Sequence, residues 1–200
     1  MTPTKHILWD VMDTLVHDPF RDAMPAFFGM TLNELLEEKH PTAWSRFETC
    51  ELSEVAFLSE FFKDGRNYDT EGFKDCVRSA YRWIDGMEPL LRVLRDTDVR
   101  MHTLSNYPEW YLWIEERLGL SRYVSWSFVS CRTALRKPDP AAYRQAAQAL
   151  ACEPSECIFI DDRMTNCDAA RALGMLAIHF TGNVELLGRE LEAAGIVIQP

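Results

Sequence analysis

Five short apolar runs, set apart by segments of helical pattern, constrain this chain more than any other feature. They occupy residues 6–11 (HILWDV), 99–104 (VRMHTL), 125–129 (SWSFV), 157–160 (CIFI) and 175–180 (MLAIHF). Helical patterns fill 108–119, where Pro108 suits a first turn, and 140–150, where Asp139 can cap and Pro140 can open a helix. Residues 164–173 and 183–194 carry helical patterns as well. Strands alternating with helices predict an α/β fold, a Rossmann-like core whose central parallel sheet is covered by helices on both faces.

The alternation breaks once. Residues 16–85 contain no convincing strand. Thr31 and Glu34 have capping-box spacing. Ser53 opens a helix expected to end at Gly65, and a third helix is expected over about 70–84, stopping at Gly86. The chain therefore divides into an α/β core domain, 1–15 and 86–200, and a small all-helical cap, 16–85, inserted after the first strand. Twelve of the 23 aromatic residues fall in the insert, including Phe27, Phe28, Trp44, Phe47, Phe61, Phe62 and Trp83. Most are needed as core for so small a unit, and one or two are expected to face the cleft and stack on a flat substrate.

Chemistry-bearing residues collect at the predicted strand ends. Asp10 ends the first strand in WDVMDTLV, Ser105 and Asn106 end the second in TLSNYP, Lys137 lies before a helix in RKPDP, and Asp161 and Asp162 end another strand in FIDDRMTN. Ligands bind at the carboxyl edge of open parallel sheets. A lone Asp at a strand end is most simply a cap or turn residue, but four such segments on one edge are not easily coincidence.

The net charge of −10 disfavours nucleic acid as a partner, while a local pocket of Lys, backbone N–H and metal can still take a small anion. The six cysteines form no CxxC and no zinc-finger spacing, so they read as reduced thiols. The first ten residues enter a strand without a secretory signal, and no apolar run approaches ~18 residues. The expectation is a soluble, cytoplasmic protein with no membrane partner. The oligomeric state is left open.

The order Asp, Ser, Lys, Asp-Asp resembles the four motifs of the haloacid dehalogenase superfamily, and the resemblance covers nearly the whole chain, including a helical cap after the first motif. The segments WDVMDTLVHDPF, HPTAW, DGMEPLL, SNYPEWY, RKPDP and FIDDRMTN resemble most closely its flavin mononucleotide hydrolases, known from plant plastids and bacteria. The resemblance implies an Mg²⁺-dependent phosphatase that forms an aspartyl-phosphate at Asp10 on a small phosphorylated metabolite, with flavin mononucleotide as the best substrate guess. It implies Asp10, Asp162 and the Met12 backbone carbonyl as metal ligands, with Asp161 behind them. Ser105, Asn106 and Lys137 would bind the substrate phosphate, Lys137 neutralising its charge.

One departure stands out. Phosphatases of this superfamily usually carry DxDxT, the second Asp serving as general acid and base. Here the run is Asp10-Val11-Met12-Asp13-Thr14, which puts Met12 at that position. Strand alternation predicts that Asp13 points away from Asp10. General acid–base help is worth roughly 10²–10⁴ in rate, so turnover should be slow unless His17, His40 or a cap carboxylate substitutes. Two other readings stay open: a 2-haloacid dehalogenase, which lacks the second Asp and needs no metal, and a catalytically silent phosphate-binding protein. Of the remaining residues, Arg136 and Arg163 suit either substrate phosphate or ion pairs. Asn166 is expected to bond its own backbone, and Tyr107 and Trp110 are stacking candidates at the cleft mouth.

Overall fold

The computed structural model describes residues 6–198, so residues 1–5 and 199–200 of the expected core lie outside it. Five strands form the centre: β1 (His6–Trp9), β2 (Arg100–Ser105), β3 (Ser125–Val129), β4 (Cys157–Asp161) and β5 (Leu176–His179). All pairings are parallel, in the order β3-β2-β1-β4-β5. Each strand falls on one of the five apolar runs, β2 and β4 reaching one residue past theirs. Those runs are near-continuously apolar because strands such as β1 and β4 are buried along their whole length, as covering both faces of a sheet requires. Register aligns the edge. Trp9 pairs with Thr103 on one side and Ile160 on the other, so Asp10 emerges level with Asp161 and beside the end of β2.

Five helices fill the stretch expected to be helical: α1 (Ala23–Phe28), α2 (Leu32–Glu38), α3 (Ala43–Glu48), α4 (Glu54–Ser59) and α5 (Thr70–Ala80). The Thr31–Glu34 capping box is present, and Ser53 caps α4 through the Ala56 N–H. Two expectations are corrected. Helix α4 stops at Ser59, not Gly65, because the chain turns to bury Phe61 and Phe62 and to pair Phe62 with Lys39. Helix α5 stops at Ala80, not near 84, because Trp83 pairs with Val16 and the Ile84 N–H donates to the Leu15 carbonyl (3.0 Å). The chain thus leaves and rejoins the sheet side by side. Helices α1 and α3, six residues each, were not expected. Runs that short show no period and hold through packing.

Six more helices follow: α6 (Met87–Arg95), α7 (Tyr111–Leu118), α8 (Ser130–Thr133), α9 (Pro140–Ala149), α10 (Met164–Ala172) and α11 (Val184–Ala193). Asp139 caps α9 and Pro140 opens it. Helices α9 and α10 cover one face of the sheet, burying Leu8, Leu104 and Phe159. On the other face, Ile7, Trp9, Ile158 and Ile160 meet α6, α7 and α11, and this core runs on without a break into Leu35, Phe47, Phe57 and Phe73 of the helical insert. All six cysteines are free. Among the described residues, no helix is long and apolar enough to cross a membrane.

Candidate active site

Parallel register brings the four sequence segments to one place. Asp10 follows β1, and its N–H donates to the Ile160 carbonyl (2.9 Å) of β4. Asp10 is 7% exposed. Lys137 Nζ donates to Asp10 Oδ1 at 2.6 Å and to Asp161 Oδ2 at 2.7 Å, although 127 residues separate Lys137 from Asp10. Thr14 Oγ1 donates to Asp10 Oδ2 (3.1 Å) and accepts from the Asp162 N–H (3.1 Å), tying the first loop to the last. Lys137 itself is aimed by Asn106, whose side chain clasps the Lys137 backbone N–H and carbonyl at 2.8 Å each. Asn106 therefore positions Lys137.

Asp161 is fully buried and saturated. It accepts from Lys137, from the Arg163 N–H (2.8 Å) and, with both oxygens, from Asn166 Nδ2 (3.0 Å). The expectation for Asn166 is corrected here: its side chain bonds Asp161 and not its own backbone, because α10 carries it beneath the carboxylate. Asp162, next along the chain, is half-buried and opens onto the cavity. Burial, with Asp161 and Asp13 beside it, pushes the Asp162 carboxyl up. Burial likewise pushes Asp10 up against the pull of Lys137. Burial alone would lower Lys137, but Asp10 and Asp161 hold its ammonium above the ordinary lysine value. Ser105 ends β2 and is buried, its Oγ without a hydrogen-bond partner among the described residues.

Carboxylate oxygens of Asp10, Asp161 and Asp162 lie within 4.8 Å of one another. Against these three carboxylates stands one buried ammonium, paired with Asp10 and Asp161, so the cluster retains excess negative charge. Arg21, 3.8 Å from Asp162 Oδ2 and mostly exposed, offsets little of it. An all-oxygen donor set of this charge suits a hard divalent cation such as Mg²⁺. The turn after β1 runs through Asp13 N–H to Val16 O and Val16 N–H to Val11 O, which leaves the Met12 carbonyl outside that ladder.

Asp10 and Lys137 form the floor of a cavity of about 400 Å³. Its walls include Met12, Asp13, Asp18, Phe20, Arg21, Leu32, Leu36, Lys39, Trp44, Glu48, Tyr107 and Arg136. Several expectations change here. Asp13 does not point away: β1 ends at Trp9, Asp13 adopts φ 55°, and its carboxylate takes Arg21 Nε (2.6 Å) and the Asp18 N–H (3.0 Å) at the cavity wall. His17 and His40 do not line the cavity, and His40 Nδ1 instead accepts from the N–H groups of Thr42 and Ala43 ahead of α3. Trp110 is 1% exposed, packs on Phe47 and Phe57, and is no stacking surface. Tyr107, Trp44 and Phe20 do line the cavity. Arg136 pairs with Glu48 (2.6 Å), while Arg163 lines the cavity with no ion pair among the described residues.

Thr14, Asp18 and Glu48 were not singled out from the sequence. Thr14 and Asp18 lay inside a quoted motif, Thr14 as its threonine, and Glu48 lay in none. Asp18 and Glu48 face the cavity because of how the insert folds back. Burial pushes Glu48 up in spite of Arg136, and pushes Asp18 up to about 7 in spite of the Phe20 N–H.

Comparison with known proteins agrees with this geometry. A profile of haloacid dehalogenase-like hydrolases matches residues 4–174. Flavin mononucleotide hydrolase 1 of Arabidopsis thaliana, a chloroplastic protein by name, is 47% identical over 190 residues, covering 95% of this chain and 77% of that protein. That relative overturns the cytoplasmic expectation. A phosphoglycolate phosphatase of Pseudomonas putida is 27% identical over 48% of this chain and 36% of its own. Among solved structures, a haloacid dehalogenase-like hydrolase of Porphyromonas gingivalis superposes with a TM-score of 0.75 at 20% identity, covering 94% of this chain and 98% of that one. A family enzyme of Bacteroides thetaiotaomicron, solved with magnesium and inorganic phosphate, superposes at 0.71 with 18% identity, covering 90% and 96%. At those identities the two structures speak for the fold. The profile and the Arabidopsis relative span most of the sequence, and this chain belongs to the haloacid dehalogenase-like hydrolases.

Proposed function

We propose that this hydrolase is an Mg²⁺-dependent phosphatase in which Asp10 attacks the phosphorus of a small phosphorylated metabolite, with flavin mononucleotide the best single substrate. One observation carries the reading: a buried carboxylate at the floor of an open cavity, held 2.6 Å from a buried ammonium and beside two further carboxylates. Attack forms a bond from Asp10 to phosphorus as the ester bond breaks, and water then cleaves the aspartyl-phosphate, dividing one hard step into two. Asp10, Asp162 and the Met12 carbonyl are the residues that would hold Mg²⁺, with Asp161 orienting them from behind. The ion's contribution when bound is to offset the repulsion between carboxylate and phosphate dianion.

Lys137 keeps the Asp10 carboxylate aimed and neutralises phosphoryl charge as a compact cation. Ser105 Oγ is buried without a partner, an arrangement that costs about 1–3 kcal/mol, and a phosphoryl oxygen at Asp10 would supply one. Residues 16–85 act as the cap that carries substrate selection. Phe20 and Trp44 of the cap face Tyr107 of the core around one cavity, which supports a flat aromatic substrate, and the Arabidopsis relative supports flavin mononucleotide in particular. The Asp161-Asp162 pair argues against a metal-free dehalogenase.

Phosphate release from flavin mononucleotide, followed by malachite green with Mg²⁺ present, tests the proposal. Release is expected for the wild type and should fall to background in Asp10→Asn and after chelation. No release from flavin mononucleotide or any member of a broad phosphomonoester panel would overturn it.

A further inference from the structure

The DxD acid of the related phosphatases is replaced by Met12, so some other group must protonate the leaving oxygen if alkyl phosphates are to be cleaved at a useful rate. The cavity wall offers few carboxyls outside the proposed metal set. Glu48 is committed: Oε1 accepts from Trp44 Nε1 (2.6 Å) and Oε2 from Arg136 (2.6 Å). Asp13 is committed too, one oxygen to the Asp18 N–H (3.0 Å) and the other to Arg21 Nε (2.6 Å). Asp18 differs. Its Oδ1 accepts from the Phe20 N–H (3.0 Å), and Oδ2 has no hydrogen-bond partner among the described residues. The backbone holds it in place. Leu15 and Val16 fold back on the Val11 carbonyl (2.9 Å each), and the bond from the Asp18 N–H to Asp13 closes the turn, so Asp18 is tied to Asp13 at the wall of the cavity that Asp10 also lines.

We infer that Asp18 is the general acid and base of this enzyme, standing in for the carboxylate that Met12 replaces. The inference rests on the phosphatase reading above. In the first step, Asp10 bonds to phosphorus, the ester P–O bond breaks, and the Asp18 carboxyl gives its proton to the departing alkoxide, leaving an alcohol. In the second, the Asp18 carboxylate takes a proton from the water whose oxygen attacks phosphorus, and the P–O bond to Asp10 breaks. Asp10 returns as carboxylate, Asp18 as acid, and phosphate is free. The groups facing Asp18 favour its protonated form. Burial dominates, Asp13 and Glu48 add negative charge, and the Phe20 N–H and Arg21 oppose them. The Tyr81 and Tyr107 hydroxyls, bonded to each other at 2.8 Å, are held neutral by burial and bring no cation. The result is a carboxyl pushed up to about 7, in the range where an acid can donate and then accept at neutral pH.

The test is Asp18→Asn in the Mg²⁺-loaded enzyme, its fold checked by near-ultraviolet circular dichroism. Two esters are compared under single-turnover conditions. Nitrophenolate leaves without protonation, so p-nitrophenol release from p-nitrophenyl phosphate should stay within about threefold of wild type. The phosphate release that follows, and riboflavin release from flavin mononucleotide, should both fall by roughly 10²–10⁴. The alkaline limb of kcat/KM for flavin mononucleotide, expected above about pH 7, should be absent from the residual activity. Two results overturn the inference: unchanged flavin mononucleotide turnover in Asp18→Asn, or equal losses in p-nitrophenol and riboflavin release. A wild type that cleaves neither ester sinks the phosphatase reading and this inference with it, which distinguishes that failure from the other two.

Discussion

The Asp10–Lys137–Asp161 triad decides most at the scale of single residues. Two buried carboxylates share one ammonium at 2.6 and 2.7 Å, so removing the cation leaves charge buried without a counter-charge. Lys137→Ala should lose activity and destabilise the fold by about 3–5 kcal/mol, read from urea unfolding without added metal. Asp18 makes the opposite kind of prediction. Its carboxyl is raised from 3.8 to about 7 by burial, so the folded state binds the proton more tightly than the unfolded chain. The stability this contributes is complete below pH 3.8 and is lost as pH rises to about 7. Asp18→Asn lacks that loss. Its melting temperature relative to wild type should climb across this window and level off above it, and a flat difference would contradict the burial of Asp18. Asp10 and the Asp161-Asp162 pair were legible as motifs at strand ends, and Lys137 as a motif just ahead of α9. Asp18 was not, because only the folded-back turn brings it to the cavity.

Among the elements, α3 carries the clearest consequence. Six residues are too few to stand as a helix alone, so its sequence showed no period. It is held by Phe47, 1% exposed and stacked on Phe57 of α4 with ring centroids 4.5 Å apart. From the same helix, Trp44 and Glu48 reach the cavity. Phe47→Ala should cost about 3–5 kcal/mol, seen as a lower urea midpoint at unchanged slope. Helices α2 and α9 were readable beforehand because a capping box and an Asp-Pro start are local signals. The over-long expectations for α4 and α5 have the complementary cause. Apolar periodicity continues past Ser59 and Ala80, but Phe61, Phe62 and Trp83 are claimed by tertiary packing and bridge pairing, which local pattern does not register.

At the scale of the molecule, the insert is not loosely attached. Trp110, which lies between β2 and α7, meets Trp44, Phe47, Phe57 and Phe73 of the insert ring to ring, and its Nε1 donates to Glu54 (2.8 Å). One apolar core spans both parts. Urea unfolding should therefore be a single transition, with far-ultraviolet circular dichroism and tryptophan fluorescence coincident. Separate midpoints would show that the insert folds on its own.

What the sequence alone determined was whatever depends on near neighbours. The five strands, their alternation with helices, the strandless stretch after the first of them, the acidic and hydroxyl segments at strand ends and the basic segment ahead of α9 all follow from period, caps and turn residues within a few positions. What only the tertiary structure decided depends on partners far apart in the chain. Lys137 reaches Asp10 across 127 residues and Arg136 reaches Glu48 across 88. The direction of Asp13, the use of His40 as a local cap and the position of Asp18 at the cavity wall are of the same kind. No local pattern encodes them, because the free energy that sets them is gained only when the sheet closes and the insert packs back over its edge.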